Sequence, residues 1–60
     1  MMTKDESDIR DAFVLALIAG HKASGEPVND PHAFAKNTYA FANVLVAERR
    51  KLLNREGTKQ

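Results

Sequence analysis

Two stretches of the chain carry apolar residues at helical spacing, and one short polar segment separates them. The first centres on the run Ala12-Phe13-Val14-Leu15-Ala16-Leu17-Ile18-Ala19, in which no polar residue reserves a face for water. Ile9, Phe13, Ala16 and Leu17 form its main stripe, and Val14, Leu15 and Ile18 widen it. One partner helix covers only part of such a cylinder, so this chain or a second copy has to wrap the rest. In the second stretch Phe34, Thr38, Phe41, Leu45, Glu48 and Leu52 follow a 4-3-4-3-4 spacing, flanked by Ala35, Tyr39, Ala42, Val46 and Leu53. That is a seam of heptad character, interrupted at Glu48 and Arg49. The small residues Ala35, Ala42 and Ala47 let a partner helix come close, while Lys36, Asn43, Arg50 and Asn54 make the opposite face. No strand alternation and no internal repeat is visible.

End signals bound both helices. Thr3-Lys4-Asp5-Glu6 reads as a capping box, with Ser7 as the alternative cap, and Asp5, Glu6 and Asp8 suit the positive end of the helix dipole. The first helix is expected over about 4–23. Gly20 either ends it early or allows close approach at a helix crossing; Gly25 is the better C-cap candidate. After Gly25-Glu26-Pro27-Val28-Asn29, Asp30 caps a second helix and Pro31 takes its first position, where a missing N–H costs nothing. Nothing breaks that helix before Glu56, and Gly57 is a natural stop, giving about 31–56. Residues 1–3 and 57–60 are expected as frayed ends. The expected fold is all-α, a single domain over 1–60: an antiparallel helical hairpin that dimerises into a four-helix bundle.

Composition sharpens the case for a dimer. A 60-residue chain buries only about 60% of its unfolded surface and is marginal without disulfides, metal or oligomerisation. There is no cysteine, which excludes disulfides and thiolate metal sites. A lone helix pair leaves Val14, Leu15 or Ile18 wet, and each forgoes roughly 1.5–3 kcal/mol when exposed. The expected interface and core residues are Phe13, Val14, Leu17, Ile18, Phe34, Phe41, Leu45 and Leu52. The sequence shows no signal peptide pattern, and the apolar run falls short of the roughly 20 residues a bilayer needs. A cytoplasmic protein without membrane contact is expected.

Charge is divided between the halves. Residues 1–30 carry three cations against six anions, and residues 31–60 six cations against two anions. Arg49, Arg50 and Lys51, with Arg55 one turn on, form a basic patch suited to phosphates or a partner. The geometric alternative is favoured: in an antiparallel hairpin closed at 25–30, opposed residue numbers add to roughly 56. Asp5 then lies near Lys51 and Glu6 near Arg50. A dedicated DNA reader would be more basic and carry a turn-plus-recognition-helix pattern.

Catalytic chemistry has little support. His21 and His32 stand alone on different segments and read as solvent-facing residues at helix ends, so no metal site is expected. Gly20 through Gly25 lacks the Lys-Ser/Thr of a phosphate loop. Asp8 and Asp11 read as the polar start of a helix, and Ser7, Ser24, Thr38 and Tyr39 have no base and orienter beside them. Tyr39 reads as a packed ring with its hydroxyl at the rim. Neither enzyme activity nor a cofactor is expected.

The stretch Ala35-Lys36-Asn37-Thr38-Tyr39-Ala40-Phe41-Ala42-Asn43-Val44-Leu45-Val46-Ala47-Glu48-Arg49 resembles the second helix of a loose group of short phage and prophage proteins, Ala-x-x-x-Tyr-x-x-Ala-Asp-x-Leu-x-Ala-x-Arg. Asp11-Ala12-Phe13 through Gly20 is similar to their earlier helix, and the likeness spans about two thirds of the chain. Asn43 departs from the pattern, where Asp is usual. The resemblance implies a phage or prophage origin and carries no common activity. Two functions remain in view: a non-enzymatic adaptor or inhibitor that docks as a homodimer on a host or phage protein, and, as the alternative, a nucleic-acid-associated accessory protein using the basic end of helix 2.

Overall fold

The computed structural model describes residues 2–58, in which α1 (Lys4–Ser24) and α2 (Pro31–Thr58) pack together as an antiparallel hairpin. Their starts are fixed by side chains, as the sequence indicates. Thr3 Oγ1 accepts the Glu6 N–H at 3.1 Å, and the Thr3 N–H donates to Glu6 Oε1 at 3.0 Å, a complete capping box. Thr3 is therefore tied down, although it falls in the stretch expected to fray. At α2, Asp30 Oδ1 accepts the N–H groups of His32 and Ala33, both at 3.1 Å.

The C-terminal ends bear out one expectation, the cap at Gly25, and correct another, the stop at Gly57. α1 runs through Gly20 and closes at Gly25, whose φ of 77° is open to glycine at little cost. A Cβ added at Gly20 meets nothing within 4 Å, so no helix crosses there. α2 continues through Gly57 to Thr58: a single glycine weakens a helix by about 1 kcal/mol without forbidding it. Met1, Lys59 and Gln60, expected as frayed ends, lie outside the described residues.

One register runs the length of the pair. Arg50 Nε donates to Glu6 Oε2 at 2.6 Å, and these two numbers add to the expected value. Stepping four residues at a time from Glu6 gives Arg10, Val14 and Ile18; stepping back from Arg50 gives Val46, Ala42 and Thr38. These rows are partly or wholly covered, apart from the half-exposed guanidinium of Arg50, and among the described residues the buried apolar side chains are Val14, Ala42 and Val46. Ala42 is 0% exposed and Val46 1%. Rows of four-residue spacing lie oblique to the helix axis, unlike a heptad seam.

That geometry moves the predicted seam. Val14 is buried as expected, and Phe13, Leu17, Ile18, Phe34 and Leu45 are half-buried. Phe41 and Leu52, however, are 53% and 54% exposed. The small residues Thr38 and Ala42 sit on the line of contact, where they allow the backbones to approach. The larger heptad residues are displaced to its flank.

Candidate interaction surface

Two surfaces follow from this packing, an apolar one along the flank of α2 and a charged one at the open end of the hairpin.

The apolar surface begins in a groove between the helices. Leu17 and His21 of α1 and Phe34, Asn37, Thr38 and Phe41 of α2 line an open hollow of about 250 Å³. Phe13 precedes Leu17 by one turn on the same face of α1, and the heptad positions Leu45 and Leu52 continue the line on α2. Val44, 56% exposed, lies beside them. His21 is not solvent-facing, contrary to expectation. Its ring packs on Phe34 with centroids 4.6 Å apart, and its Nε2 is buried without a hydrogen-bond partner. A C-terminal histidine usually turns to water; here Phe34, at the start of the opposing helix, captures the ring. His32 is exposed. On the far side of α1, Leu15 stands 70% exposed among Ala12, Ala16 and Ala19.

At the charged surface the favoured intramolecular reading holds at Glu6–Arg50 and fails at Lys51. Glu6 serves two elements at once, capping α1 with one oxygen and accepting from Arg50 with the other. The Arg50 bond first, and then the Thr3 backbone, hold its carboxyl down at about 2, well below its ordinary 4.5, and the same pairing raises Arg50. Arg49 is half-buried and lines an open hollow of about 450 Å³ with Thr3, Asp5, Glu6, Asp8 and Ile9. Lys51 turns to Glu48 of its own helix at 3.4 Å, so the expected Asp5–Lys51 pair does not form. Three residues apart on one helix is a shorter reach than across the interface. Arg55 is exposed near the end of α2. Hydrogen bonds from Arg10 hold Asp11 at 3.0 and 3.1 Å, and the guanidinium of Arg10 lies 5.3 Å from the ring centre of Tyr39. Tyr39 flanks the apolar seam as expected, but nothing in the pattern announces the Arg10 cation over its ring.

Two of the candidate hydroxyls bond carbonyls of their own helix. The Ser24 hydroxyl donates to the His21 carbonyl at 2.6 Å, and the Thr38 hydroxyl to the Phe34 carbonyl at 2.7 Å. Among the described residues no group of three His, Asp or Glu side chains could hold a metal, and no helix is long and apolar enough to cross a membrane. Comparison with protein families, curated proteins and solved structures finds no match.

Proposed function

We propose that the chain is a small phage-derived, non-enzymatic protein-interaction module, an adaptor or inhibitor of a host or phage protein in the host cytoplasm, working as a homodimer. One observation carries this reading: a two-helix molecule whose described residues bury three apolar side chains holds Leu15, Phe41, Val44, Leu52 and Leu53 out to water. Apolar area left wet on that scale is what association removes. The nucleic-acid alternative is weaker, since Arg50 and Lys51 already face carboxylates of the same chain.

The test is retention by tagged protein from host or infected-cell lysate. The expected outcome is one protein partner held at physiological salt. Retention of DNA instead, falling steeply between about 50 and 200 mM salt and lost on changing Arg50 and Lys51 to Ala, would favour the alternative. Recovery of neither would count against both.

A further inference from the structure

The hairpin uses the four-residue row of α2, which shares Thr38 with the heptad row, and leaves that second row half-covered at Phe34 and Leu45 and open at Phe41 and Leu52. We infer, resting on the paired state proposed above, that a second copy of this chain covers that row. The two hairpins stack face to face, α2 antiparallel to its copy, about a two-fold axis beside Phe41.

Spacing supports a helix as occupant. A period of 3.5 keeps one line of side chains facing a second helix along its whole length. α1 does not cover that row along its length: His21 packs on Phe34, but beyond Thr38 α1 follows Ala42 and Val46 and leaves Phe41 and Leu52 more than half exposed.

Size supports a second copy. From Phe34 to Leu52 the row runs about 27 Å at 1.5 Å per residue. The hairpin is 22 Å across in its second dimension. A face of those dimensions is of the order of the ~800 Å² that each side of a stable interface buries. The total surface of 4902 Å² leaves ample area for a target after that loss.

The position of the axis follows from the register. Phe41 lies near mid-length of the paired region and level with a point between Phe13 and Leu17. An axis there gives the greatest overlap, sets Phe41 against its own copy, and sets Phe13 against the copy's Leu17. Charge then selects the direction. A parallel arrangement stacks Glu48 on Glu48 and Arg55 on Arg55, whereas the antiparallel one moves the two Glu48 residues about 21 Å apart along the axis. It also brings the Lys51 and Arg55 turns alongside Glu26 and Asp30 of the copy, joining the basic end of one molecule to the acidic loop of the other.

Sedimentation at micromolar concentration of wild type, Phe41→Asp and Leu15→Asp decides the surface, with circular dichroism as the check on folding. Wild type and Leu15→Asp should be dimers, and Phe41→Asp a helical monomer whose dimer dissociation constant has risen by about 100-fold or more. Since the chain has no cysteine, Phe41→Cys and Glu48→Cys decide the direction. Mild oxidation should join Phe41→Cys to its copy and leave Glu48→Cys unjoined, because a disulfide reaches only about 4.4–6.8 Å between Cα atoms. If Phe41→Asp loses its helicity, the two cysteine variants decide the interface as well as the direction. A wild-type dimer that survives Phe41→Asp and splits with Leu15→Asp overturns the interface while the paired state stands. Efficient joining at Glu48→Cys overturns the antiparallel arrangement. A monomeric wild type removes the paired state itself.

Discussion

Two rows of side chains run along α2 about a quarter of a turn apart, and they differ in what they are made of. The row against α1 holds Thr38, Ala42 and Val46, all buried; the row beside it holds Phe34, Phe41, Leu45 and Leu52, of which Phe41 and Leu52 are more than half exposed. The smaller residues are inside and the larger ones outside, the reverse of a simple ranking by hydrophobicity. Close approach of two backbones favours little side chains on the line of contact, and a broad apolar face needs large ones. One helix therefore carries two kinds of row, one fitted to α1 and one that would suit the second copy proposed above.

Enlarging Ala42 is the strongest way to break this distinction. Ala42→Leu should cost about 1–3 kcal/mol by forcing the helices apart, while Val44→Leu on the outer side should stay within about 0.5 kcal/mol; urea midpoints of the two variants give the comparison. Equal effects would mean that α1 does not rest on the Ala42 row. Gly20 is the counterpart on α1: it is as small as Ala42 but has open space around it. Gly20→Ala should stabilise by about 1 kcal/mol, through helix propensity alone, with thermal unfolding as the readout. A loss there would place a hidden contact at Gly20.

His21 lies where the two rows begin, and its Nε2 has no partner. His21→Phe keeps a ring against Phe34 and removes the stranded nitrogen, so a gain of up to about 1 kcal/mol in urea unfolding is expected. The smallest effect belongs to the far end of the contact row. Glu6 titrates at about 2 when folded against an ordinary 4.5, so its contribution is complete above 4.5 and is lost as pH falls toward 2. Denaturation between pH 2 and 6 should show this slope in wild type and a shallower one in Glu6→Gln. Because Arg50 is about half exposed, solvent screening keeps the effect modest.

Much of this is legible in the residues themselves. Thr3 with Glu6, and Asp30 with Pro31, announce helix starts through local hydrogen bonds that need no tertiary context. The short loop sets the register, and through it the Glu6–Arg50 pair. The choice of row is not legible. Phe34, Phe41, Leu45 and Leu52 make the more conspicuous stripe, and periodicity reports which side chains share a face without saying which neighbour that face meets. The distance of closest approach decides that, and it depends on both helices together. His21 departs from expectation for a related reason: a position near a helix end says nothing about an aromatic ring arriving from the other helix. The Asp5–Lys51 pair gives way to a carboxylate closer to hand, Glu48.

At 47 × 22 × 14 Å the hairpin is a plank one helix thick. Such a shape has two surfaces and hardly any interior, so even the amides under Ala42 and Val46 stand a single side chain away from solvent. In the isolated molecule, deuterium would reach every backbone N–H after only a small local opening. Long-lived protection would then mark the strip where a second plank lies on the first.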